Sequence, residues 1–182
     1  MKQFTNLIKE GSNTDEIERK FLIKGDFEIP ENSNILEIEQ GFISIDPVVR
    51  IRKSNNDYTL TVKGKGHISR PEVEKEITKE EFDCLWDLTE GNRMQKTRYE
   101  IEIPNNNHPM ELDVFKGDLD GLNLFEIEFD TLDIANNYDM SQINWLEFKD
   151  VSEDPKFKNS NLSTKERFQT LSTLDVEWEE YN

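Results

Sequence analysis

From Glu16 to Ile23 charged and apolar residues alternate, Arg19 apart. On a strand this sends Glu16, Glu18 and Lys20 to one face and Ile17, Phe21 and Ile23 to the other. The pattern recurs down the chain. Arg50 and Arg52 flank Ile51; Lys63 follows Thr59 and Thr61; Arg70, Glu72, Glu74 and Glu76 share a parity, as do Lys96, Arg98, Glu100 and Glu102. Glu111 and Asp113 alternate with Leu112 and Val114, and Glu126 and Glu128 with Phe125, Ile127 and Phe129. One such strand is an ordinary solvated face. Seven, carrying both signs of charge, predict a shared polar interior with the apolar side turned outward.

Turn residues divide the chain into eight strands, over about 15–24, 35–45, the Arg50/Arg52 segment, 58–63, 69–77, 94–103, 110–115 and 124–130. Thr78-Lys79-Glu80-Glu81 has capping-box spacing and opens a helix whose Phe82, Leu85 and Trp86 fall on one face, suited to packing outside a barrel. Residues 131–138 read as helical, 150–159 as loop, and Ser163-Thr164-Lys165-Glu166 as the start of a terminal helix. The fold class is α+β, β-dominated: a closed eight-stranded antiparallel β-barrel with helices packed outside.

At 182 residues the chain reads as one domain over 15–182 behind a polar N-terminal extension, 1–14. Charged residues make up 34%, more than a solvated exterior alone requires, which supports a polar interior. The net charge of −17 argues against nucleic acid and anionic membranes as partners, so a polyanion would need locally dense cations or metal ions. Cys84 is the sole cysteine and reads as a small buried hydrophobe on the helix; His67 and His108 read as solvated loop residues. No apolar run approaches a membrane span and the N-terminus lacks a signal peptide's apolar core, so the expected location is cytoplasmic.

The basic set on the charged parity is Lys20, Arg50, Arg52, Lys63, Lys96 and Arg98. Guanidinium forks match phosphate oxygens, and paired cations suit a chain of phosphates better than a lone carboxylate. The acidic set, Glu16, Glu18, Glu72, Glu74, Asp113, Glu126 and Glu128, offers hard oxygens to Mg²⁺ or Mn²⁺. A ligand-free lattice of salt bridges uses the same residues, at a heavy desolvation cost, and spacing alone leaves both readings open.

Glu16-Ile17-Glu18-Arg19-Lys20 resembles the ExExK signature of the CYTH domain, or triphosphate tunnel metalloenzyme, superfamily. The likeness continues in order through Arg50-Ile51-Arg52, Thr61-Val62-Lys63, Arg70-Pro71-Glu72-Val73-Glu74, Lys96-Thr97-Arg98-Tyr99, Glu111-Leu112-Asp113-Val114-Phe115 and Phe125-Glu126-Ile127-Glu128-Phe129. Residues 150–162 are similar to the family's C-terminal motif, although Pro155 and Lys158 vary within it, and Phe42 stands where similar bacterial members often have tyrosine.

The resemblance implies an eight-stranded triphosphate tunnel in which Lys20, Arg50, Arg52, Lys63, Lys96 and Arg98 hold phosphates. It implies Glu16, Glu18, Glu126 and Glu128 as ligands of a two-metal site, supported by Glu72, Glu74 and Asp113. Glu16, Glu18, Lys20, Lys96 and Arg98 then form the catalytic set, with Lys156 or Lys158 as a further candidate cation. The activity implied is metal-dependent hydrolysis of inorganic triphosphate, as in the short bacterial members. Adenylate cyclisation of the class IV type and thiamine triphosphate hydrolysis are alternatives that need an organic-group pocket. A non-catalytic polyphosphate- or nucleotide-binding module is the alternative of another class, for which two carboxylate pairs are superfluous. The partner is a triphosphate-containing small molecule, and by analogy the chain forms a homodimer.

Overall fold

The computed structural model describes residues 16–64 and 69–164, with the backbone alone at Glu16, Ser69 and Arg70. The N-terminal extension, His67 and the stretch beyond Thr164 where a terminal helix is expected lie outside the described residues. The strands are β1 (Glu16–Lys24), β2 (Asn34–Ile45), β3 (Val48–Ser54), β4 (Asp57–Lys63), β5 (Ser69–Arg70), β6 (Glu72–Glu76), β7 (Arg93–Ile101), β8 (Met110–Lys116), β9 (Asn123–Glu128) and β10 (Glu147–Asp150). The helices are α1 (Lys79–Trp86), α2 (Leu132–Asn137) and α3 (Asn159–Leu162).

Nine strands follow one antiparallel path, β10-β1-β9-β8-β7-β2-β3-β4-β6, and β5 pairs with β1 off that path. The expected strands are all there, but the one foreseen over 69–77 is divided at Pro71, which lacks the N–H a ladder needs. Ser69 and Arg70 pair with Ile17 and Glu16, whereas Glu72–Glu76 pairs with β4. The closed eight-stranded barrel is not what this path draws. One edge of β1 belongs to β9; the other is taken by β10 along Phe21–Lys24, leaving Glu16 and Ile17 for β5. The unforeseen β10 is short, and its Glu-Phe-Lys-Asp sequence carries one apolar residue, too few to signal a strand.

The two faces of the sheet differ as the alternation requires. On the apolar face Phe21 stacks on Phe125 at 4.6 Å between centroids, with Phe148 edge-on to both. Met110, Leu112 and Ile127 are buried beside them, covered by Ala135 of α2 and by Ile143 and Leu146. Thr131 caps α2 by accepting the Ile134 N–H. Thr78 and Glu81 complete the anticipated capping box on α1, whose Phe82 is buried 5.1 Å from the Tyr58 ring. Leu85 and Trp86 are half-buried on the same helix. Cys84 is exposed, not buried: it lies on the side of the helix away from Phe82.

A second apolar cluster, which the parity of the charged residues did not announce, closes one end of the charged face. Leu22, Met94, Phe115 and Leu124 share that face's register and pack with Leu119, Leu122, Val151, Phe157 and Leu162. The C-terminal segment thus seals the sheet beneath the cations.

Candidate active site

Cross-strand register assembles the charged face. Glu18 stands opposite Glu128 and Lys20 opposite Glu126 across β1 and β9. Glu126 in turn faces Glu111, and Arg98 faces Asp113. On the other wing Arg50, Thr61 and Glu74 form one row, and Arg52, Thr59 and Glu76 the next; Lys63 faces Glu72. Residues from β1, β3, β4, β6, β7, β8 and β9 therefore meet on one surface, as the period of two predicts.

The ion pairs are dense. Lys20 Nζ lies 2.6 Å from Glu126 and donates to the Phe157 carbonyl at 3.3 Å. Arg98 reaches Glu126 at 3.0 Å, grips Asp113 through Nε and NH2 at 2.7 and 2.8 Å, and pairs with Glu111. Lys96 pairs with Asp113 Oδ2, which Arg98 also holds, and lies over the Phe115 ring. Across the face Glu74 accepts from Arg50 at 3.4 Å, Arg52 at 3.2 Å and the Thr61 hydroxyl at 2.8 Å, and Lys63 meets Glu72 at 2.7 Å.

Charge is unevenly distributed with depth. Among the described residues five buried side chains are cations, Lys20, Arg50, Lys63, Lys96 and Arg98, against two buried carboxylates, Asp113 and Glu126. A chain of net charge −17 thus places mainly positive groups where water is scarce. Burial pushes the Lys96 ammonium down to about 8, reinforced by Arg98 and opposed by Asp113 and Glu126. Burial also works against the Glu126 carboxylate, but Lys20, Arg98 and Lys96 outweigh it and hold its pKa well below the usual range. Arg98, despite its own desolvation, is kept firmly charged by Asp113 and Glu111. Although about a third of the Glu111 side chain remains accessible, desolvation raises its pKa, with Glu126 and Asp113 adding to the rise and Arg98 opposing it.

The sequence-derived cations Lys20, Arg50, Arg52, Lys63, Lys96 and Arg98 all join this face, as do Glu18, Glu72, Glu74, Asp113, Glu126 and Glu128. The Glu16 side chain is not among those described; its backbone pairs with Arg70 at the end of the row. Asp113 is enclosed by Lys96 and Arg98 and serves as their counterion. No group of three or more His, Cys, Asp or Glu gathered for a metal occurs among the described residues. The donor chemistry nevertheless fits a divalent ion: Glu18 opposes Glu128, and Glu111 opposes Glu126. Like charges directly across strands repel; Arg98 already bridges Glu111 and Glu126, and the hard carboxylate oxygens of Glu18 and Glu128 suit a divalent cation beside them.

Sequence reading passed over Glu111, Gln40 and Thr59 as site residues. Glu111 has the parity of Asp113 in the same strand, so the signal was there. Gln40, fully buried with its amide donating to Met94 Sδ, and Thr59 are uncharged, and a search for charged alternation skips them. Phe42 is buried opposite Arg50. His108 is not simply solvated: its Nε2 lies 3.0 Å from Asp130. Of the C-terminal cations, Lys158 is half-buried and Lys156 exposed.

The sequence model of the CYTH domain matches residues 14–157. The chain belongs to the CYTH family. This CYTH protein is 36% identical over 152 residues to the inorganic triphosphatase of Nitrosomonas europaea, covering 81% of its own length and 96% of that enzyme. The crystal structure of the inorganic triphosphatase NE1496 superposes with a TM-score of 0.59 at 35% identity, over 81% of this chain and 93% of that one. The PH1012 protein of Pyrococcus horikoshii, at 16% identity and a TM-score of 0.51, covers 72% of this chain and 94% of its own, and shares the fold. No helix among the described residues is long and apolar enough to cross a membrane.

Proposed function

We propose that this CYTH protein is a divalent-metal-dependent hydrolase that cleaves inorganic triphosphate to pyrophosphate and phosphate. The observation that carries the reading is the buried excess of cations, five against two carboxylates, on a face bordered by further carboxylates. Each of the five has a carboxylate partner, but Arg50 and Lys63 draw theirs from Glu74 and Glu72 at the more accessible rim, which leaves the depth of the face net positive. A polyanion is the ligand such a face attracts. Kinship with an inorganic triphosphatase along 96% of that enzyme's length supports the choice of substrate.

In this reading Arg50, Arg52 and Lys63 grip one part of the phosphate chain, and Lys20, Lys96 and Arg98 the other. Glu16, Glu18, Glu126 and Glu128, with Glu111, Glu72 and Glu74 nearby, would hold two Mg²⁺ or Mn²⁺ ions, which supply charge neutralisation and acidify a bound water. In the hydrolysis a water oxygen would bond to a terminal phosphorus as the bridging P–O bond breaks, that bond's electron pair staying on departing pyrophosphate and the water's proton passing to solvent. Preorganised guanidinium and ammonium groups meet the charge left on pyrophosphate without reorganising. Asp113 keeps Lys96 and Arg98 aimed through contacts on both of its oxygens.

We also infer that the sheet closes into a tunnel. β5 and β6 are neighbours separated by Pro71, one bonded to β1 and the other to β4, which links the two wings at one end. The catalytic unit is then a single domain over 15–182.

The test offers purified protein inorganic triphosphate, ATP and thiamine triphosphate in parallel, with Mg²⁺ and with Mn²⁺. Phosphate release chiefly from inorganic triphosphate, abolished by chelator, is the expected outcome. Cyclic AMP from ATP, preference for thiamine triphosphate, or binding without turnover would each replace the proposal.

A further inference from the structure

Arg52 Nε and Thr59 Oγ1 are among the shielded polar atoms of the charged face that make no hydrogen bond within the described residues. They belong to residues directly opposite each other on β3 and β4, a register that brings Cβ atoms to about 5 Å. The hydroxyl one step along β4 behaves differently. Thr61 Oγ1 donates to Glu74 at 2.8 Å and accepts from Arg50 at 3.0 Å, so its hydrogen-bonding capacity serves the protein itself. Arg52 uses NH2 alone, on the two oxygens of Glu74 at 3.3 and 3.2 Å, and its Nε–H remains unspent.

A shielded donor without an acceptor carries a desolvation penalty that a folded protein seldom retains without use. Valine would fill the space of Thr59 and suits a strand better, so the hydroxyl brings nothing to the unliganded fold. We infer that Thr59 is a substrate-binding residue: its hydroxyl and the Nε–H of Arg52 together receive one anionic oxygen of a phosphate chain. The inference rests on the phosphate-chain reading of this face and adds a contact that the charged-residue pattern does not contain.

The geometry gives the contact a sequence of events. In the unliganded protein the Glu74 carboxylate, half out in solvent, occupies the NH2 of Arg52. A phosphoryl group has more oxygens than a carboxylate and carries more charge. It draws Arg52 away from Glu74 and takes the Nε–NH2 edge bidentately, with the Thr59 hydroxyl donating from the adjoining strand. A neutral hydroxyl adds direction where the arginine supplies attraction, so its effect falls on affinity for the chain rather than on the bond-breaking step.

The experiment is calorimetric titration of the full-length protein with inorganic triphosphate in chelator, where turnover does not interfere. Wild type is compared with Thr59→Val, Thr59→Ser and Arg52→Ala. Thr59→Val is expected to weaken binding roughly tenfold, as befits one hydrogen bond to a charged group. Thr59→Ser should restore most of that loss. The melting temperature of unliganded Thr59→Val should equal or exceed that of wild type, since a shielded, unpaired hydroxyl has been removed. With metal present, the change should appear in KM and leave kcat nearly untouched. Affinity of Thr59→Val within twofold of wild type, while Arg52→Ala binds poorly, would overturn the role of Thr59 and leave the phosphate-chain reading intact. Wild-type affinity in Arg52→Ala as well would remove that reading and this inference with it.

Discussion

Lys96 holds its ammonium where only 2% of the residue meets solvent, between Asp113, the Arg98 charge and the Phe115 ring. Burial and Arg98 lower its pKa to about 8, so it loses its proton earlier than an exposed lysine does. The sign for stability follows from that direction. Between the folded pKa and the ordinary lysine value the unfolded chain binds more protons than the native state, so this group's cost to folding is relieved as pH rises above about 8. Function runs the opposite way, because a neutral amine no longer attracts phosphate. KM for triphosphate should climb above pH 8, approaching about tenfold per unit. Lys96→Arg, whose charge does not titrate in this range, should give a flat profile, and pH–rate measurements on both proteins check this. At this scale the charged side chains were legible because alternation and charge coincide at the same positions. Thr59 and Gln40 share the face without charge, and nothing in a linear pattern separates them from ordinary strand residues.

Between elements, the close approach of β2 to the turn after α1 depends on one residue. A Cβ at Gly41 would meet the Thr89 side chain at 2.5–2.8 Å. Thr89 cannot easily yield: its hydroxyl donates to the Trp86 carbonyl at 2.7 Å and accepts from Arg93 Nε at 2.9 Å. Arg93 is itself held over the Trp86 ring, with its centre 4.5 Å from the centroid, and donates to the Trp86 carbonyl. Gly41→Ala should therefore cost about 1–3 kcal/mol, as overpacking in a confined site does. Urea unfolding should show a lower midpoint with an unchanged slope. Sequence reading placed the strands and α1 within a residue or two, because turn formers and the capping box around Thr78 mark their ends. It missed β10, and it did not foresee the division at Pro71. Both concern which edge of β1 is occupied, a long-range pairing that no local pattern encodes.

For the whole molecule, the arrangement is a sheet with an apolar core on one side and a charged, largely buried face on the other, sealed at one end by Leu22, Met94, Phe115, Leu124 and the C-terminal Phe157 and Leu162. These sealing residues have the same parity as the cations, so alternation alone could not distinguish the charged part of the face from its floor. The proposed closure of the wall and the proposed occupation of the face by phosphate and metal depend on the assembled protein, beyond what strand patterns specify. Glu126 and Glu18 both belong to the proposed metal set, but they are unequal as tests. Glu126 neutralises buried Lys20 and shares Arg98 with Asp113 and Glu111, so its loss disturbs the ion pairs in the buried part of the face and endangers the fold. Glu18, half-buried opposite Glu128, offers the cleaner probe. The decisive measurement is phosphate release from inorganic triphosphate by Glu18→Gln beside wild type across a Mg²⁺ titration, with circular dichroism on both. The account predicts a loss of at least about a hundredfold in kcat/KM with the fold preserved, the scale expected for removal of a group that positions transition-state charge. A near-normal rate with an unchanged Mg²⁺ requirement would contradict it.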